Sequence, residues 1–173
     1  MTQAVAVQRS RGGLPAAAAA RLVALLLPLA LLGGALGSQY LGGLHPCEMC
    51  YWQRWPHAGA IILAALAFTA PASSSRSRML TLLAAFAIGI SGMIGVYHAG
   101  VEAKVFEGFT QCTALGKGLT TADLLRQISS APLVRCDEVQ FRFLGISMAG
   151  WNAILSLGGA TLILLLSLRA RRA

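Results

Sequence analysis

Four long apolar stretches divide this chain, and they constrain it to a bundle of membrane-spanning helices. From Leu22 to Leu36 there is no ionisable group. With the flanking Ala16–Ala20 and Gly37–Tyr40 the run reaches the roughly 20 residues that a helical span needs. Pro28 and the Gly33–Gly34 pair would break a soluble helix, but inside a bilayer neighbouring groups re-satisfy the backbone. A second run extends from Trp55 to Ala70, with Pro56 where proline suits a first helical turn. The third, Met79 to Tyr97, carries Gly89, Gly92 and Gly95 at a spacing that lets helices approach closely. The fourth runs from Ile146 to Leu168 and closes with Arg169, Arg171 and Arg172.

Composition agrees: only 12% of residues are charged and the mean hydropathy is +0.67, which is the membrane class. The predicted fold class is an all-α membrane protein, a four-transmembrane-helix bundle with spans at about 20–40, 55–70, 79–98 and 146–168. Residues 1–173 read as a single membrane domain, with little room beyond the spans. The alternative for the first run is a cleaved signal peptide, with Ala35-Leu36-Gly37 as its small-residue site. Cleavage would leave three spans.

Charge sets the orientation. The N-terminal segment, the 71–78 loop and the C-terminal tail hold eight arginines and no acids. The two remaining loops, about 41–54 and 99–145, balance six basic residues against six acids. The positive-inside rule then places both termini in the cytoplasm and both balanced loops on the far side. The net charge of +8 is therefore a topology signal and not the footprint of a nucleic-acid binder.

All four cysteines fall in the outward loops. Cys47 and Cys50 form a C-x-x-C pair, close enough in sequence to close a small disulfide ring, and such pairs often have a lowered thiol pKa. Cys112 and Cys136 lie in the longer loop, which also holds a threonine-capped amphipathic stretch over residues 120–128, read as a short interfacial helix. Three chemistries stand open. The pairs are redox-active, or they are structural disulfides of an oxidising compartment stapling the loops of a scaffold or receptor, or they bind zinc with His45 and His57. Zinc is disfavoured because Cys112 and Cys136 are 24 residues apart, so no metal is expected. A c-type haem is excluded because Tyr51 stands where C-x-x-C-H needs histidine.

The stretch Pro46-Cys47-Glu48-Met49-Cys50-Tyr51-Trp52-Gln53-Arg54 resembles the P-C-x-L-C-x-x-Q-R signature of the disulfide bond formation protein B (DsbB) family of bacterial inner membranes. Tyr97-His98, the Cys112…Cys136 loop and Phe143-Leu144-Gly145-Ile146-Ser147-Met148-Ala149-Gly150-Trp151-Asn152 are similar to that family in the same order, with Met49 replacing the usual leucine. The resemblance implies an inner-membrane, quinone-dependent thiol oxidase that reoxidises a periplasmic thioredoxin-fold partner of the DsbA kind. The cofactor would be ubiquinone or menaquinone. By the same resemblance, the partner attacks Cys112, Cys136 resolves the mixed disulfide and pairs transiently with Cys47, and Cys50 faces the quinone as a thiolate. Arg54, one helical turn past Cys50, would hold that thiolate and a quinone oxygen, and His98 would hydrogen-bond the quinone or shuttle a proton. His45, His57, Trp52 and Trp55 read as interfacial anchors.

The topology makes a direct prediction. Ser74→Cys should resist a membrane-impermeant maleimide applied from outside after reduction, while Thr113→Cys should react. Labelling of Ser74→Cys from outside would overturn the orientation.

Overall fold

The structure, a computed structural model, describes residues 2–108, 120, 122 and 134–172, with side chains within the first helix from Pro15 onward. Four helices account for most of the described chain: α1 (Thr2–Tyr40), α2 (Glu48–Ala67), α3 (Ser75–Glu102) and α4 (Met148–Arg172). The surface helix expected over 120–128, apart from Thr120 and Ala122, and Cys112 lie outside the described residues.

Among the described residues, three helices are long and apolar enough to cross a membrane: Pro15–Tyr40, Ser75–Glu102 and Met148–Arg171. The run expected at 55–70 is helical but does not meet that composition. Helix α2 starts at Glu48, seven residues before the run itself, so its first turns carry Glu48, Gln53, Arg54 and His57. Residues 48–54 of the expected loop are thus helical, and Pro56 sits inside α2, not in its first turn. The chain can enter the helix this early because Cys47 caps it, as described below. Similarly, α3 begins at Ser75, whose predecessor Ser74 accepts from the Ser77 N–H at 3.1 Å, and it runs on to Glu102.

A further departure precedes α4. The expected span from Ile146 begins instead as a two-residue ribbon, β1 (Arg142–Phe143) pairing antiparallel with β2 (Ile146–Ser147). The turn between them places Leu144 at φ 51 and Gly145 at φ 80, the left-handed pair that a two-residue hairpin needs. Ser147 then accepts from the Gly150 N–H at 3.1 Å, which starts α4 at Met148. The Trp151 indole donates to the Phe143 carbonyl at 2.9 Å and fastens the ribbon to the helix.

Helix α3 packs most extensively on α4 and α2, and α1 packs on α4 and α2, so α1 and α3 stand diagonally in a four-cornered bundle. Its core is built from small residues: Ala20, Ala24, Ala60, Ala64, Ala84 and Ala85, with Ile88 and Ile163. Large apolar side chains such as Leu26, Ile62, Phe86, Met93 and Leu165 face outward. Small residues inside and large ones outside suit a bundle solvated by lipid, where close backbone approach replaces the hydrophobic effect between helices. Arg21 ties α1 to the end of α2 by donating to the Ala70 carbonyl at 3.1 Å and lying over the Phe68 ring.

The glycines of α3 differ in what they tolerate. A Cβ at Gly95 would lie 3.0 Å from the Ala153 nitrogen and 3.1 Å from the Ala149 oxygen, both backbone atoms of α4. A Cβ at Gly89 would meet only the Ala160 methyl at 3.9 Å. Gly95→Ala should therefore force α3 from α4 and cost about 1–3 kcal/mol, while Gly89→Ala should be neutral or stabilising. Thermal unfolding in detergent micelles compares them. Equal midpoints would show that this approach does not limit stability.

Candidate functional site

The C-x-x-C forms the entrance to α2. Cys47 is the N-cap residue in extended conformation, and its sulfur accepts the Cys50 backbone N–H at 3.4 Å, one of the donors that a helix start leaves without a partner. The same geometry brings the sulfurs of Cys47 and Cys50 to 3.2 Å, in contact but not bonded. Cys136 arrives from the long loop and is fully buried with Cys47, Met49 and Val101. Its hydrogen bond with Cys47, followed by that of Cys47 with Cys50 and by burial, pushes the Cys47 thiol up. The bond from Cys47 in turn pulls the Cys50 thiol down, and the positive charge of Arg54 adds to this. A negative charge among these sulfurs is therefore favoured on Cys50 over Cys47.

Beneath the sulfurs lies a polar network that α2, α3 and α4 build together. The Gln53 amide nitrogen donates to the Met49 carbonyl at 3.1 Å and to His98 Nδ1 at 2.8 Å. With Nδ1 accepting, the neutral His98 ring carries its hydrogen on Nε2, 3.5 Å from the Cys47 sulfur. The Gln53 oxygen accepts from Asn152 Nδ2 at 2.8 Å, and the Asn152 oxygen faces His57 Nε2 at 2.9 Å. Ser91 closes the set, donating to the Gln53 carbonyl at 2.8 Å and lying 2.9 Å from His57 Nε2. Gln53, His57, Ser91 and His98 are all buried.

Arg54 takes a different direction. Its guanidinium donates to Gln39 Oε1 and, at 3.1 Å, to the Ala35 carbonyl of α1, and it lies 5.1 Å from the centre of the Tyr51 ring. Its Nε is buried without a hydrogen-bond partner, as is His57 Nδ1. Both residues line a cavity of about 310 Å³, together with Cys47, Cys50, His98, Leu31, Met148 and Trp151. A pocket of this size, with a mainly apolar wall and a few polar side chains, suits an aromatic ring carrying polar edge groups.

Of the residues singled out in the sequence, Cys47, Cys50, Cys136, Arg54 and His98 converge here, while Cys112 lies outside the described residues. His57 corrects its expectation: it is buried and bonded inside the bundle and is not an interfacial anchor. Trp52, Trp55 and His45 are exposed. The zinc reading had paired the C-x-x-C with His45 and His57. The atoms brought within 4.8 Å of one another are instead those of Cys47, Cys50 and His98, a sulfur–sulfur–nitrogen set that a soft cation can bind when the thiols are reduced. Gln53, Gln39, Ser91 and Asn152 received no role from the sequence. Gln53 and Asn152 stood in the motifs that carry the resemblance, and for Gln39 and Ser91 the signal was an amide or hydroxyl side chain within an otherwise apolar run.

Comparison with known proteins follows this geometry. Residues 17–166 match the family described as "Disulfide bond formation protein DsbB". The chain is 34% identical over 150 residues to a disulfide bond formation protein B of Methylococcus capsulatus, covering 84% of this chain and 90% of the relative. It is 26% identical over 156 residues to a protein of the same name from Xanthomonas oryzae pv. oryzae, covering 87% and 90%. An uncharacterized protein of Rickettsia prowazekii is 24% identical over 139 residues, 79% of each chain. No solved structure matches the chain.

The segment carrying Cys136 is fastened by charge. Asp137 accepts from Arg135 at 2.8 and 3.0 Å and from Lys104 just past α3. Arg135 and then Lys104 hold its carboxyl far below the usual carboxylate range. A depressed folded pKa stabilises above the unfolded value, about 3.9, and that contribution disappears as pH falls through the lower folded value. The tether should therefore persist throughout the neutral range and loosen only in strong acid. Asp137→Asn should release it at neutral pH and raise the alkylation rate of Cys136 severalfold, read peptide by peptide by mass spectrometry. An unchanged rate would show that the ion pairs do not hold this cysteine in place.

Proposed function

The chain belongs to the disulfide bond formation protein DsbB family, and on that footing we propose that it is a thiol:quinone oxidoreductase of the bacterial inner membrane. It would reoxidise a periplasmic dithiol oxidase of the thioredoxin fold and pass the electrons through two cysteine pairs to ubiquinone or menaquinone. In this reading residues 1–173 act as one membrane unit. Helix α2 makes a fourth crossing over about 55–70, both termini are cytoplasmic, and both cysteine loops are periplasmic.

One observation carries the proposal: Cys136 lies against Cys47, and Cys47 against Cys50, beside an apolar cavity that Cys47 and Cys50 both line. A scaffold with two structural staples has no need to bring cysteines of different loops together. A relay does, because thiol–disulfide exchange requires the attacking and attacked sulfurs to touch. The partner's thiolate attacks Cys112 of the Cys112–Cys136 disulfide and Cys136 leaves as a thiolate; the mixed disulfide is broken from within by Cys136, or by the partner's second thiol, in which case the partner departs oxidised and Cys112 and Cys136 stay reduced. Cys136 then attacks Cys47 of the Cys47–Cys50 disulfide, and Cys50 leaves as the thiolate. Attack by Cys112 on Cys136 regenerates the loop disulfide and leaves Cys47 and Cys50 as a dithiol.

The residues present fit a quinone. Arg54 offers a buried N–H without a protein partner in a largely apolar cavity, the donor that a ring carbonyl requires. When bound, the quinone supplies the acceptor for the two electrons and two protons lost as the dithiol returns to a disulfide. Arg54 stabilises the Cys50 thiolate and orients the carbonyl. His98 lies with Nε2 3.5 Å from the Cys47 sulfur and hydrogen-bonds the backbone of Cys136, so the one ring holds the two cysteines beside each other.

Arg54→Ala should raise the apparent KM for a soluble quinone analogue about 10-fold or more, the loss of a hydrogen bond from a charged donor, while leaving that for the dithiol partner nearly unchanged. Arg54→Lys should restore it only in part, since an ammonium lacks the planar fork. On non-reducing gels, Cys136→Ser should accumulate the mixed disulfide with the partner and Cys112→Ser should abolish it. An unchanged quinone KM in Arg54→Ala would remove Arg54 from the acceptor site, and equal trapping by both serine variants would reverse the cysteine roles.

A further inference from the structure

His57 is one of the most buried polar residues of the bundle, 3% exposed, and it lines the same cavity as Cys50 and Arg54. It stands three residues after Arg54 on α2, so the two are neighbours on one helix face, with His57 the deeper. The described contacts determine which of its nitrogens carries the hydrogen. Nε2 lies 2.9 Å from the Asn152 oxygen, 2.9 Å from the Ser91 hydroxyl and 3.5 Å from the Ser156 hydroxyl. The Ser91 hydrogen is directed to the Gln53 carbonyl and the Ser156 hydrogen to the Asn152 oxygen. A carbonyl oxygen has no hydrogen to give. The hydrogen shared among these groups must therefore be the imidazole's own, on Nε2.

It follows that Nδ1 bears a lone pair. This atom is buried and has no hydrogen-bond partner in the protein, a costly state for a polar atom unless a ligand completes it. Arg54, which also lines the cavity, likewise has a buried atom without a partner, Nε, but this atom is by contrast a donor. The two complement different groups: a donor suits a carbonyl oxygen, and an acceptor suits a hydroxyl. A quinone offers only carbonyls at its ring edge, whereas its reduced form offers hydroxyls.

We propose that His57 is a ligand-binding residue of the acceptor cavity whose Nδ1 accepts a hydrogen bond from a ring hydroxyl, so that the site holds a hydroquinone more firmly than a quinone. Asn152 and Ser91 are the positioning residues that fix the tautomer. The inference rests on the quinone reading of the cavity and adds to it a preference between the two redox forms. Such a preference favours electron transfer out of the dithiol, because selective binding of the product draws the equilibrium forward.

Direct binding tests it without turnover. A short-chain benzoquinone is titrated by calorimetry into the micelle-solubilised full chain in its disulfide form, and the corresponding hydroquinone into the dithiol form. His57→Gln places an amide donor near the Nε2 position for Asn152 and Ser91 but leaves no acceptor at the Nδ1 position. It should weaken hydroquinone binding about tenfold, or about 1.4 kcal/mol, and change quinone binding less than about twofold, the difference that one neutral hydrogen bond makes. His57→Asn keeps a polar atom at the Nδ1 position and removes the Nε2 donor. It should lower the thermal midpoint yet hold hydroquinone more firmly than His57→Gln does. A merely structural His57 predicts the opposite, with His57→Gln harmless to both ligands. Equal loss for both redox forms in His57→Gln, or no loss for either, overturns the proposal. Should His57→Gln not fold, hydroquinone binding by His57→Asn decides, and a loss of its preference over the quinone overturns it. If the unaltered chain binds neither form, the acceptor reading itself falls and this inference with it.

Discussion

The hydrogen bond between the side-chain amides of Asn152 and Gln53 is the interaction on which the rest of this site depends. It joins α4 to α2 at 2.8 Å, and Asn152 Nδ2 reaches α3 as well, at 3.2 Å from the Ser91 carbonyl. Each amide has a donor end and an acceptor end, so fixing one end fixes the other. Gln53 presents its nitrogen to His98 because its oxygen is taken by Asn152. Asn152 presents its oxygen to His57 because its nitrogen is taken by Gln53 and Ser91. One amide pair thereby sets the tautomers of two histidines, one facing the sulfurs and the other the cavity. In a low-dielectric interior such networks are strong when complete and costly when broken.

The sulfurs depend on a second constraint, the start of α2. An N-cap position collects N–H groups that the helix cannot use, and the positive end of the helix dipole favours negative charge there. Cys47 occupies the cap and its sulfur takes the Cys50 N–H. Its thiol nevertheless stays protonated more readily than that of Cys50, because it hydrogen-bonds with Cys136 and with Cys50. The result is a division between the two cysteines of the motif. One is a thiol held against the incoming loop, and the other is the sulfur on which a negative charge is favoured, one turn from Arg54. A C-x-x-C further from a helix start would lack this asymmetry.

Much of this was legible in the chain. The apolar runs located α1, α3 and α4, and Cys47, Cys50, Cys136, Arg54 and His98 do converge. What could not be read has physical reasons. The early start of α2 depends on a cysteine acting as a cap, a role that composition rules assign to Ser, Thr, Asp or Asn. The ribbon before α4 turns through Leu144-Gly145, where hairpin turns usually show Asn-Gly. His57 looked interfacial because it follows Trp55 and Pro56. Its burial is a property of the helix face it shares with Gln53 one turn earlier, and that face is only defined once α3 and α4 pack on it.

The same network explains why α2, alone among the four described helices, lacks a stretch apolar and long enough to meet the composition of a membrane span. Polar groups inside a bundle are expensive unless they meet one another, and they gather where function requires them. Gln53, His57, Ser91, His98 and Asn152 come from three helices, yet they meet below the sulfurs, leaving the opposite half of the bundle to Ala20, Ala24, Ala64 and Ala84. Helix α2 contributes two of the five, together with Arg54 at the cavity wall, so it departs from the hydropathy of its neighbours. Its second half, from Ala58 on, is as apolar as any of them. Reduced hydropathy in α2 therefore reflects where the site was placed in the bundle: the helix whose start holds the C-x-x-C also supplies, one and two turns further on, the side chains that orient what the cysteines react with.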